Sequence, residues 1–483
     1  STSNGLSSNY IRSINQSPNG NMLIGSFNGL NVLDLQTQKI TPYKAEGQLN
    51  GSISHNSIYN IFIDKNQTLW IGTYGGGVNY YTPYANKFQF YNFLQEQKKA
   101  FGIKGPIVET KNSIYIATEG SGLIEMYKPI NQKYQFDFYK ISEHFFSHNI
   151  LKSLYLEGDK IFCGTNLGTI YIFDTQSKKF TLFYDFKSEK AIYQIGRNSF
   201  GELYAAGVNE IGFTFFTKEG KIRNSFKTKN QSSFTFKDTR CILEIEKGRY
   251  LIGTRNNGLY DFNETTGEIK QYLKTLNSIP ERTIPKNYIT SIIKDHKGQI
   301  WIGTYGGGIA LFNREKATFT TYNQTDGLLS NSICALVEDE NHHLWISSLS
   351  GISKMNLETH EIVNYDYSSG ISVNEFTPHS GTQLLNGRVV FSGNNGIIAF
   401  NPNQMEVNPH IPPVVLRNLF INNNKIIPGA PDGVLTNEIA TQNQITLNHN
   451  QTNIAIEYSS LNYVLPNKNQ YKYQLTGFDK EWN

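Results

Sequence analysis

Trp70 to Gly77 reads WIGTYGGG, and Trp301 to Gly308 repeats the same eight residues without change. Weaker copies lie around and between them: LIGSFNGL from Leu23, YIATEGSG from Tyr115, FCGTNLGT from Phe162, YAAGVNEI from Tyr204, LIGTRNNG from Leu251, WISSLSGI from Trp345 and VFSGNNGI from Val390. The third residue of each copy falls at 25, 72, 117, 164, 206, 253, 303, 347 and 392, so nine units recur at spacings of 42 to 50 residues. A regular period of this size marks an array of one supersecondary unit.

Each unit follows one pattern. A strand such as SIYNIFID (Ser57 to Asp64) or YITSIIKD (Tyr288 to Asp295) alternates apolar and polar residues, and a turn and a strand ending in WIGT follow it. A Gly-rich turn then leads to a third strand, and an aromatic strand such as KFQFYNF or TFTTYN closes the unit. Helical repeats of that period would place apolar residues three and four apart, whereas the observed period is two. Four short antiparallel strands per unit make a β-propeller blade. Trp70, Trp301 and Trp345 are expected to pack between neighbouring blades as core.

Counting strands predicts boundaries. The ninth unit supplies three strands, near Gly381–Leu385, Arg388–Ser392 and Ile397–Phe400, before the Pro-rich NPHIPPVV, and it lacks an outer one. KFQFYNF (Lys87 to Phe93) is the natural donor, which predicts a seven-bladed propeller over residues 87–410. Residues 1–86 then hold the last two blades of an upstream propeller, because two blades leave their edges open. A single ring of eight or nine blades is the alternative. From 411 to 483 the strand pattern continues without the WIGT grammar, as expected for the N-terminal part of an immunoglobulin-like β-sandwich.

Composition agrees with an all-β reading. The 483 residues include 29 Tyr, 30 Phe and 41 Gly, only 17% are charged, and the net charge is +4. The chain is too apolar and aromatic for disorder, and no run approaches the roughly 18 apolar residues of a membrane helix. Its charge argues neither for nor against nucleic acid. Cys163, Cys241 and Cys334 are scattered in apolar strands, which fits buried small hydrophobes better than disulfides or a zinc site. The chain does not start with Met and shows no signal peptide, so it reads as a mature or excised segment.

The unit N-x-I-x-x-I-x-x-D-x-x-G-x-L-W-I-G-T-x-x-G-G resembles the regulator-propeller repeat, and EYSSLNYVLPNKNQYKYQLTGFDKEWN resembles the tyrosine-rich domain that follows such propellers. Together they resemble the periplasmic sensor region of hybrid two-component systems of gut Bacteroidetes. The resemblance implies two seven-bladed propellers before the sandwich and, beyond it, a membrane helix, a histidine kinase, a receiver and a DNA-binding domain. It also implies recognition of oligosaccharides released from complex glycans, a homodimer in the full receptor, and control of polysaccharide-utilisation genes. Kinase chemistry would lie outside this segment, which is expected to be non-enzymatic and without cofactor.

The residues argue against an enzyme. The pattern D-x-x-G/Q-x-x-W at Asp64, Asp295 and Asp339 superficially matches the Asp-box turn of sialidases. It lacks the Ser/Thr two positions before the Asp, where Phe62, Ile293 and Val337 stand, so an Asp-stabilised hairpin turn is the better reading. His144, His148, His342 and His343 give no zinc spacing, and the turn pair His342–His343 is expected to be exposed. No catalytic residues are assigned. A propeller glycosidase or polysaccharide lyase, or a protein–protein interaction scaffold, remain the competing classes.

A binding face is what the pattern leaves. With strands counted from the axis outward, the turn after WIGT and the loop leading into the first strand emerge around the same mouth of the channel. The candidate ligand-binding residues there are Glu119, Asn166, Arg240, Arg255, Asn256, Tyr288, Tyr305, Asn331, Asn374 and Glu375. Aromatic rings stack on a pyranose face while planar polar groups take paired hydroxyls. Arg240 and Arg255 would suit a uronic acid or a sulfate.

Overall fold

The computed structural model describes every residue except 46–51, 83–87, 93–101, 103, 104, 128–134, 227–235, 372, 374, 406–412, 431, 432, 463–468 and 470. Candidate Asn374 and parts of the donor segment 87–93 therefore lie outside the described residues. The fold is all-β, with no α-helix among the described residues. No described helix is long and apolar enough to cross a membrane.

Lys87 to Met405 form one compact unit. It contains seven four-stranded antiparallel sheets. Six run in simple chain order, as in Ile289–Lys294, Ile300–Thr304, Gly308–Asn313 and Thr318–Tyr322. The seventh joins Phe376–Gln383, Val389–Gly393 and Gly396–Phe400 to an outer strand from the start of the unit, Gln89–Tyr91. In that pairing Ile397 faces Tyr91 and Ala399 faces Gln89, so the two ends of this unit share one sheet. First strands pack on one another in cyclic order, and Phe376–Gln383 packs on Ile107–Glu109 to complete the circle. Antiparallel sheets arranged this way are a propeller, with the first strands lining the axis.

The hairpin between first and second strands has a local chemical cause. Asp295 Oδ1 accepts the backbone N–H of Lys297 at 2.9 Å and of Gln299 at 2.8 Å, and its Oδ2 accepts the Trp301 indole N–H at 2.9 Å. Asp339 repeats the arrangement with Asn341, His343 and Trp345, and Asp64 with Asn66, Thr68 and Trp70. The carboxylate thus closes the turn and orients the tryptophan before it packs. The Gly-rich turn is set by close approach. Gly308 has φ +78°, and a Cβ there would lie 2.1 Å from the Tyr322 carbonyl oxygen, so no other residue fits without backbone movement.

Trp301 and Trp345 are fully buried, and Trp301 packs with Ile333, Leu336 and Ile346 of the next sheet. Trp70 departs from expectation: it is only half-buried, against Tyr80, while Ile58, Ile61 and Ile71 of its sheet pack on the opposite face with Leu23 and Leu30. The three cysteines are buried and unpaired, and burial raises each thiol pKa, to about 12 at Cys334. Ion pairs also link successive sheets. Lys178 bonds Glu125, a 1% exposed carboxylate that also accepts from Ser113, Tyr115 and Tyr139.

Before Asn86 the chain forms a four-stranded sheet, Ile11–Gln16 to Ile40–Tyr43, and a sheet of three described strands, Ile58–Ile63, Leu69–Thr73 and Val78–Tyr81. The second of these keeps the Asp-closed turn of the ring, at Asp64. After Glu406, Asn424–Lys425, Val414–Ile421 and Ile454–Ser460 form a three-stranded sheet over a small core of Leu419, Ile421, Val434, Leu435 and Ile439. This is one sheet; a facing sheet is not found among the described residues.

Candidate functional site

The loops at one end of the ring are tied together sheet by sheet. The residue following each second strand donates its N–H to the carbonyl of a residue just ahead of the first strand: Tyr305 to Tyr288 at 2.9 Å, Arg255 to Asp238 at 3.1 Å, Asn166 to Ile150 at 3.1 Å and Asn394 to Glu375 at 3.0 Å. Both loop sets therefore emerge side by side, sharing one mouth.

A second recurring device adds side chains there. Five of the seven first strands carry a β-bulge near the start, where one extra residue stands between two paired positions. The residues so placed are Lys152, Tyr193, Arg240, Thr290 and Cys334. A bulge turns its extra side chain out of the regular pleat, which is why bulges recur at the rims of functional sites.

Three adjacent sheets combine these devices into one cluster. Arg240 lies over the Tyr193 ring at 3.7 Å and over Tyr288 at 5.8 Å, and Arg255 approaches Tyr288 at 5.9 Å. Tyr288 stacks on Tyr305 with centroids 5.4 Å apart. Arg240 is 7% exposed and pairs with Asp238 at 2.7 Å, while its Nε is buried without a partner. Arg255 and Tyr305 are exposed, so the cluster grades from a buried cation to an open aromatic shelf. Desolvation raises the Tyr288 pKa, with the two arginines acting the other way.

His379 adds a buried nitrogen. It lies in the long irregularity of the strand Phe376–Gln383, between paired residues Phe376 and Gly381, with φ +62° and an Nε2 that has no hydrogen-bond partner. Burial, and then the charge of Arg240, lower its pKa from 6.5 to about 4. It is therefore neutral at physiological pH.

The other candidates lie outside this cluster. Glu119 is paired with Lys152, and Glu375 accepts from Asn394 at 2.6 Å. Asn256 is exposed beside Arg255, and Asn166 keeps a buried side-chain oxygen without a partner. Asn331 serves the scaffold: its Oδ1 accepts the Gln324 N–H at 2.8 Å and its carbonyl accepts from Gly306 and Gly308. Asn149 and Asn287 repeat that role toward Ile141 and Lys274. The asparagine heading these three units is thus a loop tether. Sequence reasoning missed Tyr193 and His379; the signal for Tyr193 was its alignment with Arg240 at the second position of a first strand.

The two-component regulator propeller family matches residues 52–75 and 283–306, which include both WIGT copies with unbroken glycines. The chain is 29% identical over 452 residues to histidine kinase P4 of Formosa agariphila, covering 89% of this chain and 32% of that protein. The extracellular domain of a hybrid two-component system from B. thetaiotaomicron superposes with a TM-score of 0.78 at 26% identity, over 98% of this chain and 62% of that one. Streptogramin B lyase shares the fold alone, with a TM-score of 0.51 at 14% identity over 65% of this chain and 97% of that one. The chain thus spans about a third of the curated relative and three fifths of the structural one.

Proposed function

We infer that this chain, which carries two-component regulator propeller repeats, is the ligand-sensing segment of a hybrid two-component receptor and holds an anionic oligosaccharide at the mouth of its ring. The observation that carries this reading is the Arg240–Tyr193–Tyr288–Arg255–Tyr305 cluster. Tyrosine faces suit pyranose rings, and paired guanidiniums suit a uronate or a sulfate. Two buried nitrogens, on Arg240 and His379, have no hydrogen-bond partner, and a ligand oxygen would reach them only if the side chains around them moved.

The segment acts by binding rather than by chemistry. Glycoside hydrolysis needs two carboxyl groups flanking the bond. At this mouth Asp238 is ion-paired with Arg240, Glu119 with Lys152, and Glu375 accepts from Asn394. In the full receptor, periplasmic and dimeric in this reading, ligand would favour one of two arrangements only by binding it more tightly. Transcription of polysaccharide-utilisation genes is the output proposed for that receptor. Residues 1–86 are read as the closing blades of a further propeller, and those after 411 as the start of the sandwich that passes the signal on.

The test is incubation with defined uronate-bearing and sulfated oligosaccharides, followed by calorimetry and an assay for new reducing or unsaturated ends. Saturable heat with intact sugar is expected. Catalytic turnover of any of these sugars would sink the sensor reading in favour of a propeller hydrolase or lyase.

A further inference from the structure

At the opposite end of the same first strands, two turns bring a second group of side chains together. His296 sits in the turn after Ile289–Lys294, while Glu338 and His342 flank the corresponding turn of the next sheet. His296 Nδ1 lies 2.5 Å from Glu338 Oε1, and His342 Nδ1 lies 3.4 Å from the same oxygen. The imidazoles are stacked, with centroids 3.6 Å apart and planes 20° from parallel. One ligand atom from each residue falls within 4.8 Å of the other two.

We propose that His296, Glu338 and His342 form a site for one divalent transition-metal ion of the zinc class, which clamps adjacent sheets of the ring. Two imidazoles and one carboxylate are the donor set such ions prefer, whereas calcium takes about 6–8 oxygens and finds one acidic side chain here. Bonds of about 2.0–2.1 Å in tetrahedral array separate neighbouring ligand atoms by about 3.4 Å. His342 and Glu338 already stand at 3.4 Å; the His296 contact needs to open by less than about 1 Å, and one imidazole must turn out of the stack, because each ring nitrogen binds an ion in its own ring plane. Three protein ligands leave a position for water.

The site is preorganised by its surroundings. Each turn is closed by the three hydrogen bonds of Asp295 or Asp339, so neither histidine rides on a loose loop. Glu338 Oε2 accepts the His296 backbone N–H at 3.0 Å, which orients the carboxylate.

The experiment is a titration of the chelator-treated full chain with Zn²⁺, alongside Ca²⁺. One equivalent of Zn²⁺ should bind and raise the melting temperature, while Ca²⁺ does neither. Loss of a supporting residue behind a metal ligand costs about 10–100-fold in affinity, so His296→Ala with His342→Ala should exceed about 100-fold. The metal-free melting temperature of that variant should stay near wild type, since both side chains lie at turns. Should the variant misfold, Co²⁺ bound to the wild type gives an independent reading, a visible ligand-field band displaced by Zn²⁺. Absence of one-equivalent Zn²⁺ binding, equal binding by a folded variant, or equal response to Ca²⁺ would each overturn the proposal.

Discussion

Trp301→Ala is expected to destabilise the ring by about 3–5 kcal/mol, the range for deleting a fully buried large aromatic side chain. Trp70→Ala, in the identical octapeptide, should cost less than half as much in its own unfolding transition. The two substitutions remove the same indole hydrogen bond, 2.9 Å to Asp64 and 2.9 Å to Asp295. What differs is packing: Trp301 is 0% exposed between sheets, and Trp70 is half-buried. Equilibrium denaturation of both variants reads the difference directly. Equal losses would mean that the octapeptide stabilises through its turn, and that inter-sheet burial contributes little.

Acidification supplies the second large effect, through His379. Its folded pKa is lowered to about 4 from 6.5, so the unfolded chain takes up a proton first as pH falls. The neutral ring's contribution is complete above pH 6.5 and is lost progressively down to about pH 4. The shift corresponds to roughly 3 kcal/mol at most. Carboxylates such as Glu125 and Glu157, whose pKa values are lowered, act mainly below the upper part of this window. His379→Asn keeps a residue tolerant of the left-handed backbone there and removes the titration. Its stability should therefore be flatter than wild type between pH 6.5 and 4. Parallel stability profiles would show that His379 titrates normally.

The fold was legible because one turn chemistry recurs. Asp295, Trp301 and Gly308 each have a local reason to stand where they do, and local reasons repeat with the unit. The site was legible only in part, for the opposite reason. Arg240, Arg255, Tyr288 and Tyr305 were found by position within the unit and do converge. Asn331 was read as ligand-facing because a loop asparagine with two donors suits sugars, yet its oxygen is held by Gln324. Tyr193 and His379 escaped because a bulge changes where a side chain goes without changing the alternation that reveals the strand. His296 and His342 escaped for a related reason: they are neighbours across two units, and spacing rules for metal ligands inspect one segment at a time.

In the proposed sensor the arginine–tyrosine shelf is where an anionic sugar binds, and Arg255 and Tyr305 are its exposed members. Each contributes to the surface without filling the core, so their joint replacement separates recognition from folding. Calorimetric titration of wild type and R255A/Y305A with the same uronate-bearing or sulfated oligosaccharide measures this most directly. The expected result is saturable binding by wild type, with affinity lost by about 100-fold or more in a variant that melts within a few degrees of it, since two such contacts together exceed about 2.7 kcal/mol. Undiminished binding by a folded R255A/Y305A would contradict the account and move the site away from this mouth.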